Sequence, residues 1–327
     1  MPFGITIQAI LFLITFLLTL ITGPIIIPAL TRIKFGQTVR DDGPQTHLKK
    51  TGTPTIGAFI FLIPIGLITA YLYLTGLYTD VLPLALTTLG FGAVGFLDDY
   101  IKVIRKRKDG LYGRQKMVLL FIIASAFILY LIYFRRMDTD IIVPFYGNTL
   151  TYHLPMVAYI PFIIFFLLSI TNSVNLTDGV DGLAAGVTLI VMVFFTVVAM
   201  SRSEWEYIKV FSAMVAGGCL GFLVFNTHPA KVFMGDTGSL ALGGAVGAIA
   251  VMMKMPLFVI IVGAVYLIEA LSVIIQVASF KLTGRRVFKM APIHHHFELL
   301  GWKETKVAAV FYLITFILCI LGMLAFK

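Results

Sequence analysis

Apolar runs close to the roughly 20 residues needed to cross a bilayer as a helix recur along the whole chain, and no other feature constrains its fold as tightly. Ten can be read, at residues 5–30, 55–76, 82–101, 116–134, 157–173, 182–201, 207–226, 237–254, 256–280 and 307–326. A mean hydropathy of +0.98 over 327 residues excludes an ordinary soluble domain. In lipid every backbone N–H and C=O must be satisfied within the structure, which leaves helices or closed barrels. Alternation of period two is absent, and that argues against a barrel. The expected fold is therefore an all-α polytopic membrane protein with ten transmembrane helices. No linker, low-complexity tract or strong repeat divides it, so residues 1–327 read as one domain. The first apolar stretch lacks a basic n-region and a small-residue cleavage site, so it is expected to remain as an anchor.

Charge gives the orientation. The loops after helices 1, 3, 5, 7 and 9 hold 19 of the 25 Lys and Arg, including Arg32 to Lys50, Lys102 to Lys116, Lys231 and Lys281 to Lys306. The other loops carry Arg135, Arg136, Arg202, Lys209 and Lys254, and Lys327 ends the chain. The positive-inside rule makes the richer side cytoplasmic and places both termini outside. On the opposite side, residues 138–156 are β-prone around Gly147-Asn148 and read as a short hairpin. Cys219 and Cys319 fall inside expected helices and read as packing residues.

Against this apolar background, five carboxylates stand out: Asp98, Asp99, Asp178, Asp181 and Asp236. All five fall at segment ends on the expected cytoplasmic side, whereas Glu269 alone lies deep within a segment. A carboxylate in or beside a bilayer is costly and marks function. Paired acids beside clustered Lys and Arg suggest a divalent cation and an anionic substrate.

Each cytoplasmic loop adds detail. GPQTHLKKTGTPT (residues 43–55) is punctuated by Gly and Pro; Lys49, Lys50, Thr53 and Thr55 supply phosphate-type donors, although headgroup anchoring by the lysines is an equal alternative. In FLDDYIKVIRKRKDGLYGRQK (96–116), Asp98 and Asp99 end an expected helix, where the dipole disfavours acids. Lys102 or a bound cation must compensate, while the run from Arg105 to Lys108 suits anionic lipid. In TNSVNLTDGVDGLAAG (171–186), Asn172, Asn175, Asp178 and Asp181 recur every three residues on one helical face or tight turn, with glycines allowing close approach. The spacing does not fit an EF-hand. NTHPAKVFMGDTGSLALGG (226–244) sets Asp236 before an apolar helix, as an N-cap or part of an anion site. APIHHHFELLGW (291–302) carries His294, His295 and His296, which lack a zinc pattern and suit phosphate recognition or proton handling.

Together these segments resemble the phospho-N-acetylmuramoyl-pentapeptide transferase family, in order and over residues 43–302. The Asp pair, the Asn/Asp stretch and GDTGS also fit the wider superfamily of polyprenyl-phosphate hexose-1-phosphate transferases. The triple-His loop followed by FELLGW discriminates. TPTIGA at 53–58 departs from the expected pattern at Ile56 and Ala58. The resemblance implies transfer from UDP-MurNAc-pentapeptide to undecaprenyl phosphate, releasing UMP, at the inner face of the bacterial cytoplasmic membrane. It implies Mg²⁺ on Asp236, with Asp98, Asp99 and His294 completing the catalytic set. Gly179, Asp181 and Phe233 are then expected around uridine, Phe233 stacking on uracil. Lys50, Thr55, Lys102, Lys116, Asn172, Asn175, Asp178, Asn226, His295 and His296 are expected along the nucleotide and phosphates. A homodimer is expected, and no nucleic-acid partner.

Elementary chemistry agrees. Bringing a lipid phosphate to a pyrophosphate joins two anions, and Mg²⁺ favours one or two carboxylates plus phosphates. The lipid phosphate is mostly dianionic at neutral pH, so direct attack is favoured over an aspartyl-phosphate intermediate. Two alternatives remain: transfer of N-acetylglucosamine-1-phosphate to the same lipid, which the His loop argues against, and a cation-coupled transporter, which would hold its acids at mid-membrane.

Overall fold

A computed structural model describes residues 6–32, 52–104, 110–146 and 151–326. Its helices are α1 (Ile7–Arg32), α2 (Phe59–Leu74), α3 (Val81–Ile104), α4 (Gly113–Leu129, continued by the π-helical Tyr130–Phe134), α5 (Met156–Thr177) and α6 (Leu183–Ala199). There follow α7 (Glu206–Asn226), α8 (Gly235–Met252), α9 (Val259–Val262), α10 (Ala264–Thr283), α11 (Ile293–Leu299) and α12 (Glu304–Ala325).

Among the described residues, eight helical segments are long and apolar enough to cross a membrane, and two shorter apolar helices, α2 and α6, accompany them. Every expected apolar segment falls on a helix. The ninth differs, because it opens with the 3₁₀ turn Pro256–Phe258 and breaks at Gly263 between α9 and α10. A Cβ at Gly263 would come within 2.8 Å of the Val259 carbonyl, so the break is built around a residue without one.

The bundle is organised around α8. Of its membrane-length window 89% is buried, against 22% for both α1 and α10, which present their apolar side chains outward. Lipid tails are as apolar as Leu, so helices associate there through close packing at small residues. The sequence GSLALGGAVGAIA supplies them. A Cβ on Gly243 would meet Thr171 Cα of α5 at 2.6 Å, and one on Gly244 would meet the Phe91 ring of α3 at 2.6 Å.

At the end of the bundle where α8 finishes, β1 (Asp140–Ile142) pairs antiparallel with β2 (Thr151–His153), Ile141 opposite Tyr152. This is the expected hairpin; its Gly147-Asn148 turn lies outside the described residues. The hairpin is tied down by Ile142 N–H on Lys254 O (2.7 Å) and by the Lys254–Asp138 ion pair (2.6 Å). Both cysteines are buried and free.

Candidate active site

Six of the expected side chains converge where α3 passes the start of α8. The two helices approach closely because Gly95 has no side chain: a Cβ there would lie 2.1 Å from the Asp236 carbonyl oxygen. Asp98 and Asp99 follow on α3. They were expected at its end, but α3 continues to Ile104 because Lys102 pairs with Asp98 at i+4 (2.6 Å), removing the expected clash with the helix dipole.

Neighbouring in sequence, the two aspartates do different work. The buried carboxylate of Asp99 accepts from Asp236 N–H (3.2 Å), Thr237 N–H (2.9 Å) and the Thr237 hydroxyl (2.7 Å). These are first-turn donors of α8 that have no partner within the helix. Asp236 was expected as a possible N-cap, yet it sits inside the helix, and Met234 at the N-cap makes no side-chain hydrogen bond. Asp99 therefore caps α8 from another helix. Asp99→Ala should lower stability by about 1–2 kcal/mol, read as a drop in the detergent-solubilised melting midpoint. Loss of activity without that drop would contradict the capping role.

Asp98 points to the loop after α3, its Oδ1 accepting from Leu111 N–H at 2.7 Å. Freed from capping, Asp236 turns its carboxylate outward and is 18% exposed. Its Oδ1 accepts from Asn175 Nδ2 of α5 (3.0 Å), and its Oδ2 meets Lys102 Nζ (3.0 Å) and Lys116 Nζ of α4 (2.8 Å). Oxygens of Asp98, Asp99 and Asp236 lie within 4.8 Å of one another. Three carboxylates outnumber two ammonium groups here, and all three donors are hard oxygens. That set fits Mg²⁺ better than a soft metal. With Asp99 committed to the α8 amides, Asp236 and Asp98 are the fitting ligands.

Thr55 joins this group. Gly235 has φ +70°, a left-handed conformation, and a Cβ on it would meet Thr55 Oγ1 at 2.8 Å. Phe233 is half-buried, and its strand-like backbone is held by Phe233 N–H on Pro54 O (2.9 Å) and Gly57 N–H on Phe233 O (2.8 Å). Lys50 lies outside the described residues.

The turn between α5 and α6 forms a neighbouring lobe. Of the four residues spaced by three, Asn172 and Asn175 lie on α5, and Asp178 and Asp181 lie at the turn that follows it. Asn172 donates to Leu168 O within α5 (2.7 Å), Asn175 reaches Asp236, Asp178 is the C-cap of α5, and Asp181 lies in the turn. Asn226 bridges: its Oδ1 accepts from Gly182 N–H (3.1 Å) and its Nδ2 donates to Val232 O (2.8 Å). Both ends of its amide thus hold backbone together.

The histidines divide. His294 was expected to face a surface where anions arrive, but it is fully buried, with Nδ1 3.1 Å from Glu269 Oε2. Its ring fills the space Gly179 leaves, 2.1 Å from where a Cβ would stand. The reason is the short α11, which starts after Pro292 and turns its first histidine inward. His295 pairs with Glu298 (2.7 Å), while His296 accepts from Lys289 N–H (3.1 Å) and packs edge-on to Phe288. The turn's further supports, Tyr312, His228 and Glu304, escaped the sequence reading. So did the partner of Glu269, although an acid deep in an apolar helix had marked that position.

A bundle of membrane-length helices with carboxylates and lysines clustered at one end matches a known class. The pattern of glycosyl transferase family 4 covers residues 81–254, which span α3 to α8 and hold both Asp98 and Asp236. The chain is also 62% identical over its full length to the phospho-N-acetylmuramoyl-pentapeptide-transferase of Acetivibrio thermocellus, covering 98% of that protein. It is 52% identical to that of Clostridium novyi, over 96% of this chain and 95% of the relative. The chain belongs to the phospho-N-acetylmuramoyl-pentapeptide-transferase family.

Proposed function

We propose that the chain transfers phospho-N-acetylmuramoyl-pentapeptide from UDP-MurNAc-pentapeptide to undecaprenyl phosphate, giving lipid I and UMP for peptidoglycan synthesis. The observation that carries this reading is the cluster of Asp98, Asp236, Lys102 and Lys116 at one end of the bundle, together with the family membership. We place that end at the cytoplasmic face of the inner membrane, with ten spans in a single domain and both termini outside. The Lys and Arg asymmetry supports this orientation. A homodimer belongs to the same proposal.

In the reaction an oxygen of the lipid phosphate attacks the sugar-bearing phosphorus of the donor. A new P–O–P bond forms to the lipid, and the old pyrophosphate bond breaks with UMP leaving. Mg²⁺, held by Asp236 with Asp98, would neutralise charge on the pyrophosphate. Lys102 and Lys116 bring two further positive charges to the same oxygen of Asp236 and so to the phosphates beside it. Asp98, anchored by Leu111 N–H and Lys102, orients the acceptor. Asp99 and Asn175 hold Asp236 in place and touch no substrate. Asp178, Gly179 and Asp181 form the nucleoside lobe, with Asn226 fixing its frame, and Thr55 stands beside Gly235 at the phosphate end. His294 supports Gly179 from behind, which leaves His295 and His296 as the donor-facing members of their loop.

Phe233 supplies an aromatic face for uracil. Stacking is worth about 1–3 kcal/mol per base, so Phe233→Ala should weaken donor binding about 5- to 150-fold. The affinity for polyprenyl phosphate should not change. An equal loss for the lipid would assign Phe233 to packing instead.

A donor competition tests the reaction. Purified protein given polyprenyl phosphate with equal UDP-MurNAc-pentapeptide and UDP-N-acetylglucosamine should label the lipid from the first alone. Labelling from N-acetylglucosamine would reassign the donor.

A further inference from the structure

We infer that His228 is a positioning residue for the nucleoside end of the donor, acting through the carboxylate of Asp181. The inference rests on the reading above that Asp181 meets the uridine. Asp181 is buried in the turn between α5 and α6, and its Oδ2 faces two donors from one loop. These are His228 Nδ1 at 3.0 Å and Ala230 N–H at 3.1 Å. A carboxylate only accepts, so it is Nδ1 of the imidazole that carries the proton. Two donors on one oxygen fix the plane of the carboxylate, and with it the direction of Oδ1. The same imidazole nitrogen lies 3.7 Å from Oε2 of Glu304, the buried first residue of α12. His228 is thus held between two carboxylates while its ring remains 42% exposed.

The backbone of the turn does not depend on this imidazole. Gly182 is gripped separately, its N–H by Asn226 (3.1 Å) and its carbonyl by the Tyr312 hydroxyl (2.7 Å). The 228–230 loop is closed independently by Lys231 N–H on Phe225 O (2.8 Å). Removing the imidazole therefore takes one of two donors from Asp181 Oδ2, loosening the orientation of its carboxylate, and leaves the peptide frame standing. The consequence belongs in donor recognition and not in folding.

Two variants test this. His228→Ala removes the donor; His228→Asn places an amide nitrogen close to where Nδ1 stands. In transfer assays His228→Ala should raise the KM for UDP-MurNAc-pentapeptide about 5- to 10-fold, the scale of one ordinary hydrogen bond. The kcat, the KM for polyprenyl phosphate and the melting midpoint should stay near wild type, and His228→Asn should recover most of the loss. A wild-type donor KM in His228→Ala, a parallel fall in kcat and melting midpoint, or no recovery in His228→Asn overturns the inference. Asp181→Asn measured alongside separates the two levels. If it raises the donor KM and His228→Ala does not, only the role of His228 fails; if neither moves it, the uridine reading of Asp181 fails as well.

Discussion

Asp236→Asn is expected to abolish transfer while the protein stays folded. Asparagine keeps the shape of the side chain and can still pair with Asn175, and Asp99 continues to cap α8 through backbone N–H groups and the Thr237 hydroxyl. What disappears is the negative charge on which Lys102 and Lys116 converge and which Mg²⁺ would share. Deleting one preorganised electrostatic partner of a charge-developing reaction typically costs 10²–10³ in rate. Here the loss should be at least about 10²-fold, because metal and lysines depend on the same group. Turnover as a function of Mg²⁺, with the melting midpoint as control, checks this. A wild-type rate at limiting Mg²⁺ would remove Asp236 from the metal site.

Gly95→Ala, a change of one methyl group that touches no proposed substrate contact, should be nearly as damaging. Its Cβ would stand 2.1 Å from the Asp236 carbonyl oxygen and 2.6 Å from Thr237 N. Both neighbours are backbone, so no flexible side chain can yield. Either α3 and α8 separate, pulling Asp99 off its cap, or the first turn of α8 rotates and swings Asp236 away from the lysines. Overpacking of this kind costs about 1–3 kcal/mol, occasionally more. Activity should fall about 10²-fold with a clear drop in melting midpoint, since a catalytic group displaced by about 1 Å loses on that order. Gly66→Ala is the matched control: a Cβ there meets nothing within 4 Å, so its activity and stability should be unchanged. Equal behaviour of the two variants would refute the close approach of α3 and α8.

Much of this architecture was legible in the sequence because lipid leaves the backbone so few options. Every apolar run lies on a helix, and the β-prone stretch after α4 forms the expected hairpin. The break at Gly263 escaped because hydropathy is continuous across it, although the close contact that needs a residue without a Cβ, the Val259 carbonyl, lies in the same apolar segment. At the site, Asp98, Lys102 and Asp236 were found through charge and order along the chain. What the sequence could not separate was Asp98 from Asp99. Only the α8 amides, more than 130 residues away, assign one to the loop and Lys102 and the other to capping. His294 went astray for a similar reason. Three adjacent histidines look alike in sequence, but α11 turns the first one inward against Gly179 and Glu269. Glu269 itself was conspicuous, and its partner 25 residues on was not.

The most direct test of the central claim couples the two products. Purified wild-type protein, stripped of lipid, is given UDP-MurNAc-pentapeptide labelled in the sugar, and UMP and labelled lipid are counted before and after polyprenyl phosphate is added. Direct transfer at the Asp98–Asp236 cluster predicts no UMP before the addition, and afterwards one labelled lipid for each UMP. A stoichiometric burst of UMP from lipid-free protein would contradict direct attack, and UMP release with no labelled lipid would contradict the transfer itself.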